Sequence, residues 1–398
     1  MIRIAQQHRT VFILAIAQAL ANSCMSIFGT ISALTGKMLA VDPRLATVPL
    51  GLQFILTMAA TIPASHLMRA LGRRNAFFVG AAIGVLGGSL GMAATYVGSF
   101  PLFCVSNAIM GASNAFLLHF RFAAAEAADD AFRPKAISLV LAGGVVAAII
   151  GPAMANIGTN LFAPFTFMGS YLFVALLCLA MFPVLWRVHA PRPAASEIAG
   201  PQRPLSEIAR QPVFIAALLA ATFGYGTMVF VMTATPLAMV ACGFPIGDVA
   251  NVISWHILGM FAPSFFTGHM IKAIGERNVL FLGAACYVAM AAFGLAGIDI
   301  MNFWVSLILL GLGWNFLFVG GTTLLTKCYR PSERAKVQGF NDFLTFSGVA
   351  LCSLTAGAIE QTWGWGTVVW WSMAPTVLIL GAVAWGAPGR KPVKSLAA

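Results

Sequence analysis

Long apolar segments, separated by short polar ones, run along almost the whole chain. A helix needs roughly 20 apolar residues to cross about 30 Å of hydrocarbon. Breaking the sequence at prolines, glycines and charge clusters gives twelve segments of that length. They are predicted at residues 11–35, 45–68, 76–97, 100–124, 136–158, 164–186, 212–237, 248–271, 279–299, 302–326, 337–360 and 365–387. The pattern therefore predicts an all-α membrane protein with twelve spans.

Composition supports a membrane environment and gives no sign of metal or disulfide chemistry. The 398 residues are 60% hydrophobic and only 9% charged, too little charge to cover the surface of a soluble protein. The seven cysteines are odd in number, scattered among apolar segments and never arranged as CxxC. We therefore expect small core residues, with no disulfide framework, metal or cofactor.

The basic residues predict the orientation of the chain. If the N-terminus is cytoplasmic, 21 of the 23 lysines and arginines fall on the cytoplasmic side, and only Lys37 and Arg44 fall outside. By the positive-inside rule, we expect a multi-pass inner-membrane protein with both termini in the cytoplasm. The net charge of +11 then indicates contact with anionic lipid headgroups rather than with nucleic acid.

A polar stretch at residues 187–211, rich in Pro, Ala and Arg, divides the spans into six and six. We predict an N-terminal six-helix lobe at 1–186, a cytoplasmic linker at 187–211, and a C-terminal lobe with a short basic tail at 212–398. The halves also repeat each other: SHLMRALGRRNAFFVGA from Ser65 aligns without gaps with GHMIKAIGERNVLFLGA from Gly268, 203 residues later. Such duplication typically builds two transporter lobes around a midplane site.

The six-plus-six arrangement, the basic linker and the short basic loop after the second span resemble the major facilitator superfamily. That family's loop motif is matched at Gly72, Arg73 and Arg74, whereas Ser65, Arg69 and Ala70 stand where the family usually has Gly, Asp and Arg. The resemblance implies the major facilitator fold of two pseudo-symmetric six-helix bundles. It also implies that the first, fourth, seventh and tenth spans line a solute cavity. We expect a monomer.

Polar side chains near the middle of these spans are the candidate binding residues, because polar groups in hydrocarbon usually face the bundle interior or a wet cavity. The repeat pairs Asn22 with Tyr225 and Gln53 with His256 at an offset of 203, and Asn114 with Asn315 at an offset of 201. For any one residue, a hydrogen bond between helices is the competing interpretation. The full candidate set is Asn22, Ser26, Gln53, Asn114, Tyr225, His256, Trp314 and Asn315.

The chemistry of this set indicates the solute class. No Lys, Arg, Asp or Glu lies at the middle of these spans, so a neutral or weakly charged organic solute is favoured. Amides and aromatic rings suit an aromatic, vitamin-like molecule. We predict a proton-coupled secondary active transporter working by alternating access, with a multidrug or metabolite efflux proton antiporter and a non-transporting membrane sensor as alternatives. A membrane transferase using His119, Arg121 and Glu126 is disfavoured, because charged residues at a helix end usually anchor it.

Charged residues near the cytoplasmic ends are candidates for gating or proton coupling. Asp342 is the one acid that we assign to the interior of an apolar span. It could pair with Arg69 to close the cytoplasmic side, or partial burial could make it a proton carrier. Lys272 could in turn meet Glu126, Asp129 or Asp130. The sequence leaves open the choice between gate and carrier, and the choice between proton symport, antiport and uniport.

Overall fold

The computed structural model describes residues 2–128, 136, 139–140, 142–188 and 202–387, and all regular structure within them is helical. Two 3-10 helices lie at Pro43–Leu45 and Pro331–Glu333. The α-helices are α1 (Ile2–Leu39), α2 (Val48–Leu71), α3 (Arg73–Val97), α4 (Phe100–Leu117), α5 (Phe120–Ala127), α6 (Gly143–Gly158), α7 (Met168–Trp186), α8 (Leu205–Ala209), α9 (Pro212–Ala241), α10 (Ile246–Phe261), α11 (Ser264–Ile274), α12 (Glu276–Ala296), α13 (Ile300–Leu325), α14 (Arg334–Trp371) and α15 (Met373–Gly386).

The helices overlap all twelve predicted spans. Among the described residues, nine stretches are long and apolar enough to cross a membrane, and the pair α10 and α11, bent by 42°, makes a tenth. The fifth predicted span corresponds to the shorter helix α6. The last two predicted spans lie in one apolar stretch, Lys336–Gly386. A break at Gly364, whose φ of 78° is not helical, divides this stretch. The all-helical membrane fold is therefore confirmed.

Large apolar and aromatic side chains are exposed around the bundle, as lipid-facing residues of a membrane protein are. Aromatic residues occupy both ends, where tyrosine and tryptophan side chains suit the membrane–water interface. Tyr96 and Trp363 lie at one end with 58% and 61% of their surface exposed, and Trp186 and Trp385 lie at the other with 72% and 64% exposed. These rings are placed as the two aromatic belts of a membrane-spanning bundle.

The repeat in the sequence is also a repeat in the backbone. Gly72 between α2 and α3 has φ of 81° and ψ of 158°, and Gly275 between α11 and α12 has φ of 86° and ψ of 157°. Positive φ strains any residue with a Cβ, so each copy of the loop requires glycine. Asn75 and Asn278 each donate a side-chain hydrogen bond to the carbonyl four residues earlier, at 3.2 and 2.9 Å. The two loops thus share one conformation.

Close backbone approaches define how the spans of the two halves correspond. A Cβ on Gly111 of α4 would overlap the main-chain oxygen of Gln53 on α2, and a Cβ on Gly311 of α13 would overlap that of His256 on α10. Gln53 and His256 are 203 positions apart, but Gly111 and Gly311 are 200 apart. The fourth and tenth spans therefore correspond at an offset of 200.

This offset changes one predicted pairing. Asn114 matches Trp314, and the pairing of Asn114 with Asn315 at an offset of 201 is wrong by one residue. In a helix one residue is a rotation of about 100°, so Trp314 and Asn315 point in different directions. The predicted pairing matched the two asparagines by residue type. The structural equivalence follows instead from the contacts of Gly111 and Gly311.

Two apolar cores follow the two halves of the chain. One is built from residues between Val11 and Val188, with Leu237 added, and the other from residues between Ile208 and Ala387, with Ala148 added. We call these the N-lobe and the C-lobe. Leu237 and Ala148 each join the core of the opposite lobe, so the lobes pack directly on one another.

The lobes are hydrogen-bonded between α2 and α14 at the end of the bundle that carries the α1–α2 connection. We call this the distal end, and the opposite end, which carries residue 8 and residue 387, the terminal end. Thr47 Oγ1 donates to the carbonyl of Leu354 at 3.3 Å and accepts from the N–H of Gly357 at 3.1 Å. Nearer the middle, Ser347 Oγ lies 3.4 Å from Met58 Sδ. These contacts hold the lobes together from the distal end to mid-span.

The second part of the linker is docked on the C-lobe. The Arg203 guanidinium donates to both carboxylate oxygens of Glu333, at 2.9 and 2.7 Å, and Lys336 Nζ donates to the carbonyl of Arg203 at 2.6 Å. The side-chain hydrogen bond from Arg203 and the main-chain N–H of Arg330 hold the pKa of Glu333 well below its usual range. Residues 202–209 are therefore fixed to the α13–α14 connection.

Candidate solute-binding site

Helices α1 and α9 face each other across the lobe interface. A Cβ on Gly29 of α1 would lie 3.6 Å from Met232 Cε of α9, which marks where the two helices touch. Asn22 and Tyr225 each precede that contact by seven residues, two helical turns or about 10 Å, on the same face. The predicted pair therefore lies at one depth, on facing sides of the two lobes.

The C-lobe side of this region is an aromatic cluster. We define it as Tyr225 on α9, Phe261 on α10, Trp314 and Phe318 on α13, and Phe346 on α14. Tyr225 contacts Trp314, Phe318 and Phe346 with ring centroids 5.5, 5.6 and 6.0 Å apart. Trp314 stacks on Phe318 at 5.1 Å with an interplanar angle of 8°. Trp314 is buried and the other four are half-buried, so the cluster presents ring surface around a buried indole.

The N-lobe side carries primary amides. We define the amide cluster as Gln18 and Asn22 on α1, Gln53 on α2, and Asn114 on α4. Gln18 Nε2 donates to Asn22 Oδ1 at 2.8 Å. Gln53 is buried, its Nε2 lies 3.2 Å from Met25 Sδ, and its Oε1 has no hydrogen-bond partner among the described residues. An unpartnered buried amide oxygen is a strong acceptor for a ligand hydroxyl.

The two sides differ chemically although their positions correspond. Tyr225 stands in the C-lobe where Asn22 stands in the N-lobe, and Trp314 where Asn114 stands. Equivalent positions of the duplicated fold thus carry aromatic rings in the C-lobe and amides in the N-lobe. Such a site can bind a molecule with one planar apolar part and one hydrogen-bonding part.

His256 is the C-lobe counterpart of Gln53 and is likewise incompletely hydrogen-bonded. Its Nδ1 lies 2.8 Å from the carbonyl of Leu307, and because a carbonyl only accepts, Nδ1 carries the proton. Its Nε2 is then an acceptor, buried and without a partner among the described residues. Gln53 and His256 thus each offer one unused acceptor at pseudo-equivalent positions.

Two other predicted residues make contacts between helices. Ser26 of α1 packs against α6 at Gly151, where a Cβ would overlap its hydroxyl. The Asn315 amide accepts from Thr267 Oγ1 at 2.6 Å and donates to Ser264 Oγ and to the carbonyl of Met260, both at 2.7 Å. Asn315 therefore bridges the bend between α10 and α11 and is directed away from the aromatic cluster.

The charged candidates are only partly described. Asp342 is exposed and its Oδ1 accepts from Asn341 Nδ2 at 3.2 Å. Lys272 is exposed in the last turn of α11. The side chains of Arg69 and Glu126 lie outside the described residues. Pairing of Asp342 with Arg69 and of Lys272 with Glu126 stays a prediction.

The structure adds one acid that sequence reasoning missed. Glu360 lies in α14 and is only 6% exposed, so Asp342 is not the one acid within an apolar span. The predicted span ended at residue 360, which made this acid look like a helix-end residue. The run GAIEQTWGW, in which the acid is the one charged residue, was the available signal. No group of His, Cys, Asp or Glu within the described ranges is arranged to hold a metal ion.

Two pseudo-symmetric helical lobes enclosing a mixed aromatic and amide site are typical of a polytopic membrane transporter. The sequence profile of the Major Facilitator Superfamily matches residues 11–250 and 230–397, nearly the whole chain. The chain belongs to the major facilitator superfamily, which confirms the expected family.

Relatives cover almost the full chain. It is 40% identical over 374 residues to the riboflavin transporter RfnT of Brucella anthropi, covering 94% of each chain. It is also similar to two MFS-type transporters of Bacillus subtilis. YddS is 28% identical over 94% of this chain and 88% of its own length, and YdeG 27% identical over 88% and 85%.

Proposed function

We propose that this protein is a secondary transporter for riboflavin or a closely similar flavin, moved by alternating access between the two lobes. The observation that carries the proposal is the pair of chemically different walls, aromatic on the C-lobe and amide on the N-lobe, at one depth. The 40% identity to a protein named as a riboflavin transporter supports the same solute.

Riboflavin matches both walls. Its isoalloxazine is a flat, uncharged three-ring system, and its ribityl chain carries four hydroxyl groups. Rings stack or meet edge-to-face with tyrosine, tryptophan and phenylalanine, which accounts for Tyr225, Trp314 and Phe318. Hydroxyl groups donate to and accept from amides, which accounts for Asn22, Gln53 and Asn114. A neutral solute needs no charged partner, in keeping with the uncharged walls.

The remaining predicted residues receive supporting roles in this proposal. His256 Nε2 offers one acceptor to a hydroxyl or imide N–H of the solute. Ser26 and Asn315 position helices, Ser26 between α1 and α6 and Asn315 across the bend of α10 and α11. In this proposal neither residue contacts the solute: Asn315 is hydrogen-bonded between helices, and Ser26 packs against Gly151 of α6.

We further propose that the protein lies in the inner membrane with both termini cytoplasmic, which makes the distal end periplasmic. The protein would work as a monomer and take up its solute by proton symport. The pairing of Asp342 with Arg69 would close the cytoplasmic side. A second pairing, of Lys272 with Glu126, would add to this closure. Substituting Asp342→Asn tests coupling: loss of gradient-driven accumulation with exchange retained supports a carrier role, and unchanged accumulation removes it.

Flux into liposomes tests the proposed function. The purified chain is reconstituted, and uptake of radiolabelled riboflavin is measured with and without an inward proton gradient. We expect saturable uptake, stimulated by the gradient, with competition by lumichrome (the ring system without the chain) stronger than by ribitol. Inhibition by many unrelated cations would favour multidrug efflux instead. Binding without flux would favour the sensor.

A further inference from the structure

A buried carboxylate lies at the distal contact between the lobes. Glu360 follows Gly357 by three residues on α14, and the N–H of Gly357 donates to Thr47 Oγ1 of the N-lobe. Its Oε2 accepts a hydrogen bond from Gln361 Nε2, a neutral donor on its own helix. The helix is interrupted four residues later at Gly364, so the carboxylate is near the negative end of a helix dipole. The run AGAIEQTWG around it in the same helix thus supplies one neutral hydrogen-bond donor and no positive charge.

The charged and titratable groups around Glu360 come from three elements. Lys37 in the last turn of α1 and Cys242 just after α9 are close enough to interact with it electrostatically. On the 3-10 helix packed against α14, Arg44 is already paired with Asp42 at 2.7 Å. Glu360 itself forms no ion pair within 4.0 Å in the part of the chain that the structure describes. It is a buried acid without a bonded counter-ion.

Burial of this group depends on contact between the lobes. Lys37 and the 3-10 helix belong to the N-lobe, and Glu360 belongs to the C-lobe, so separating the lobes at the distal end admits water to the carboxylate. An ionised carboxylate is stable in water and strongly unfavourable when buried without an ion pair. A neutral carboxylic acid tolerates burial. Closing the distal end is therefore linked to the proton occupancy of Glu360.

We propose that Glu360 is a proton-binding site that takes up one proton from the distal compartment when the lobes close at that end. The carboxylate takes the proton from a hydronium ion of the distal solution: one O–H bond forms on the carboxylate, one breaks in hydronium, and water is left. The proposal rests on alternating access, the mechanism of the proposed function. Because one proton is bound on closure, the ratio of closed to open molecules changes by up to tenfold per pH unit, and acid favours closure.

Distances across the distal end test this directly. Spin labels are attached through Val97→Cys of the N-lobe and Ile298→Cys of the C-lobe, which are 60% and 58% exposed. The full-length chain, with its seven native cysteines replaced by alanine, is placed in lipid nanodiscs. Pulsed dipolar spectroscopy then gives the distance distribution between pH 5 and 8. No solute is present in this experiment, so its outcome does not depend on whether the protein transports riboflavin.

The variants separate the proposal from general pH effects. We expect the short-distance population to grow as pH falls, and Glu360→Gln to keep it high at every pH. Asp299→Asn, which alters an exposed acid at the same end, should respond like the parent. A pH-independent parent, or an unchanged response in Glu360→Gln, would overturn the proposal.

Discussion

Substituting Tyr225→Leu removes the ring at the centre of the aromatic cluster while keeping an apolar side chain. If the isoalloxazine lies against this ring, the variant loses one aromatic stacking partner, and stacking on a planar heterocycle contributes about 1–3 kcal/mol. The Kd for riboflavin should therefore rise about 5- to 150-fold, since 1.4 kcal/mol is tenfold. Tyr225→Phe keeps the ring and should stay close to the parent.

The same substitution also weakens the C-lobe. Tyr225 meets three rings at centroid distances of 5.5, 5.6 and 6.0 Å. Each such pair contributes about 0.5–1.5 kcal/mol beyond area burial, so the melting temperature should fall. Binding must therefore be measured well below the melting transition, on protein that elutes as a single species.

Quenching of riboflavin fluorescence on titration with protein in detergent provides the assay, because a stacked aromatic ring quenches the flavin. Trp255→Leu is the matched control: it removes a ring of the same lobe that is 45% exposed and packs on Trp304 at 5.8 Å, outside the aromatic cluster. Its Kd should not change. A folded Tyr225→Leu protein with the parental Kd would refute the assignment of the aromatic wall.

Three further predictions concern packing and the linker. Gly111→Ala places a methyl group on the main-chain oxygen of Gln53, so α4 must move away and stability should fall by about 1–3 kcal/mol in a thermal melt. Asn315→Ala leaves buried polar atoms of the α10–α11 bend unpartnered, with a loss of about 1–3 kcal/mol. Glu333→Gln should speed hydrogen exchange in residues 202–209, which Arg203 docks. Because the pKa of Glu333 is lowered, the docking it provides is complete above about pH 4.3 and is lost only as pH falls through the depressed value.

Each of these three substitutions has a matched control elsewhere in the chain. Gly268 has no atom within 4 Å of a built Cβ, so Gly268→Ala should not destabilise the protein. Asn302 bonds an exposed carbonyl, and its replacement by alanine should cost far less than that of Asn315. Glu207 is 57% exposed and 3.9 Å from Arg203, so Glu207→Gln should leave exchange unchanged. Equal effects within any pair would contradict the corresponding contact.

The fold could be predicted from sequence because hydrocarbon imposes a simple rule. Any span must be long and apolar, so the spans follow from hydropathy, and the copies beginning at Ser65 and Gly268 reveal the duplication. The correspondence of the fourth and tenth spans could not be derived in the same way. It depends on which glycine meets which backbone oxygen, and an offset of 200 rather than 201 turns Asn315 away from the place of Asn114.

The site was predicted in outline and not in detail, for a related reason. A polar residue in an apolar span marks a place where a hydrogen bond is needed, but the sequence does not say whether a helix or a solute supplies it. Asn315 and Asn22 look alike in sequence, yet one bridges a bend and the other lies in the amide cluster. Glu360 was missed because the predicted span ended at that residue, and hydropathy along one helix does not show that the side chain is buried.

A structure of the protein with riboflavin bound tests the central claim most directly. We expect the flavin between the lobes, with its three rings within about 4 Å of Tyr225 and its ribityl hydroxyls bonded to Asn22 and Gln53. A flavin seated within one lobe, or with its rings on the amide cluster and its chain on the aromatic cluster, would contradict it.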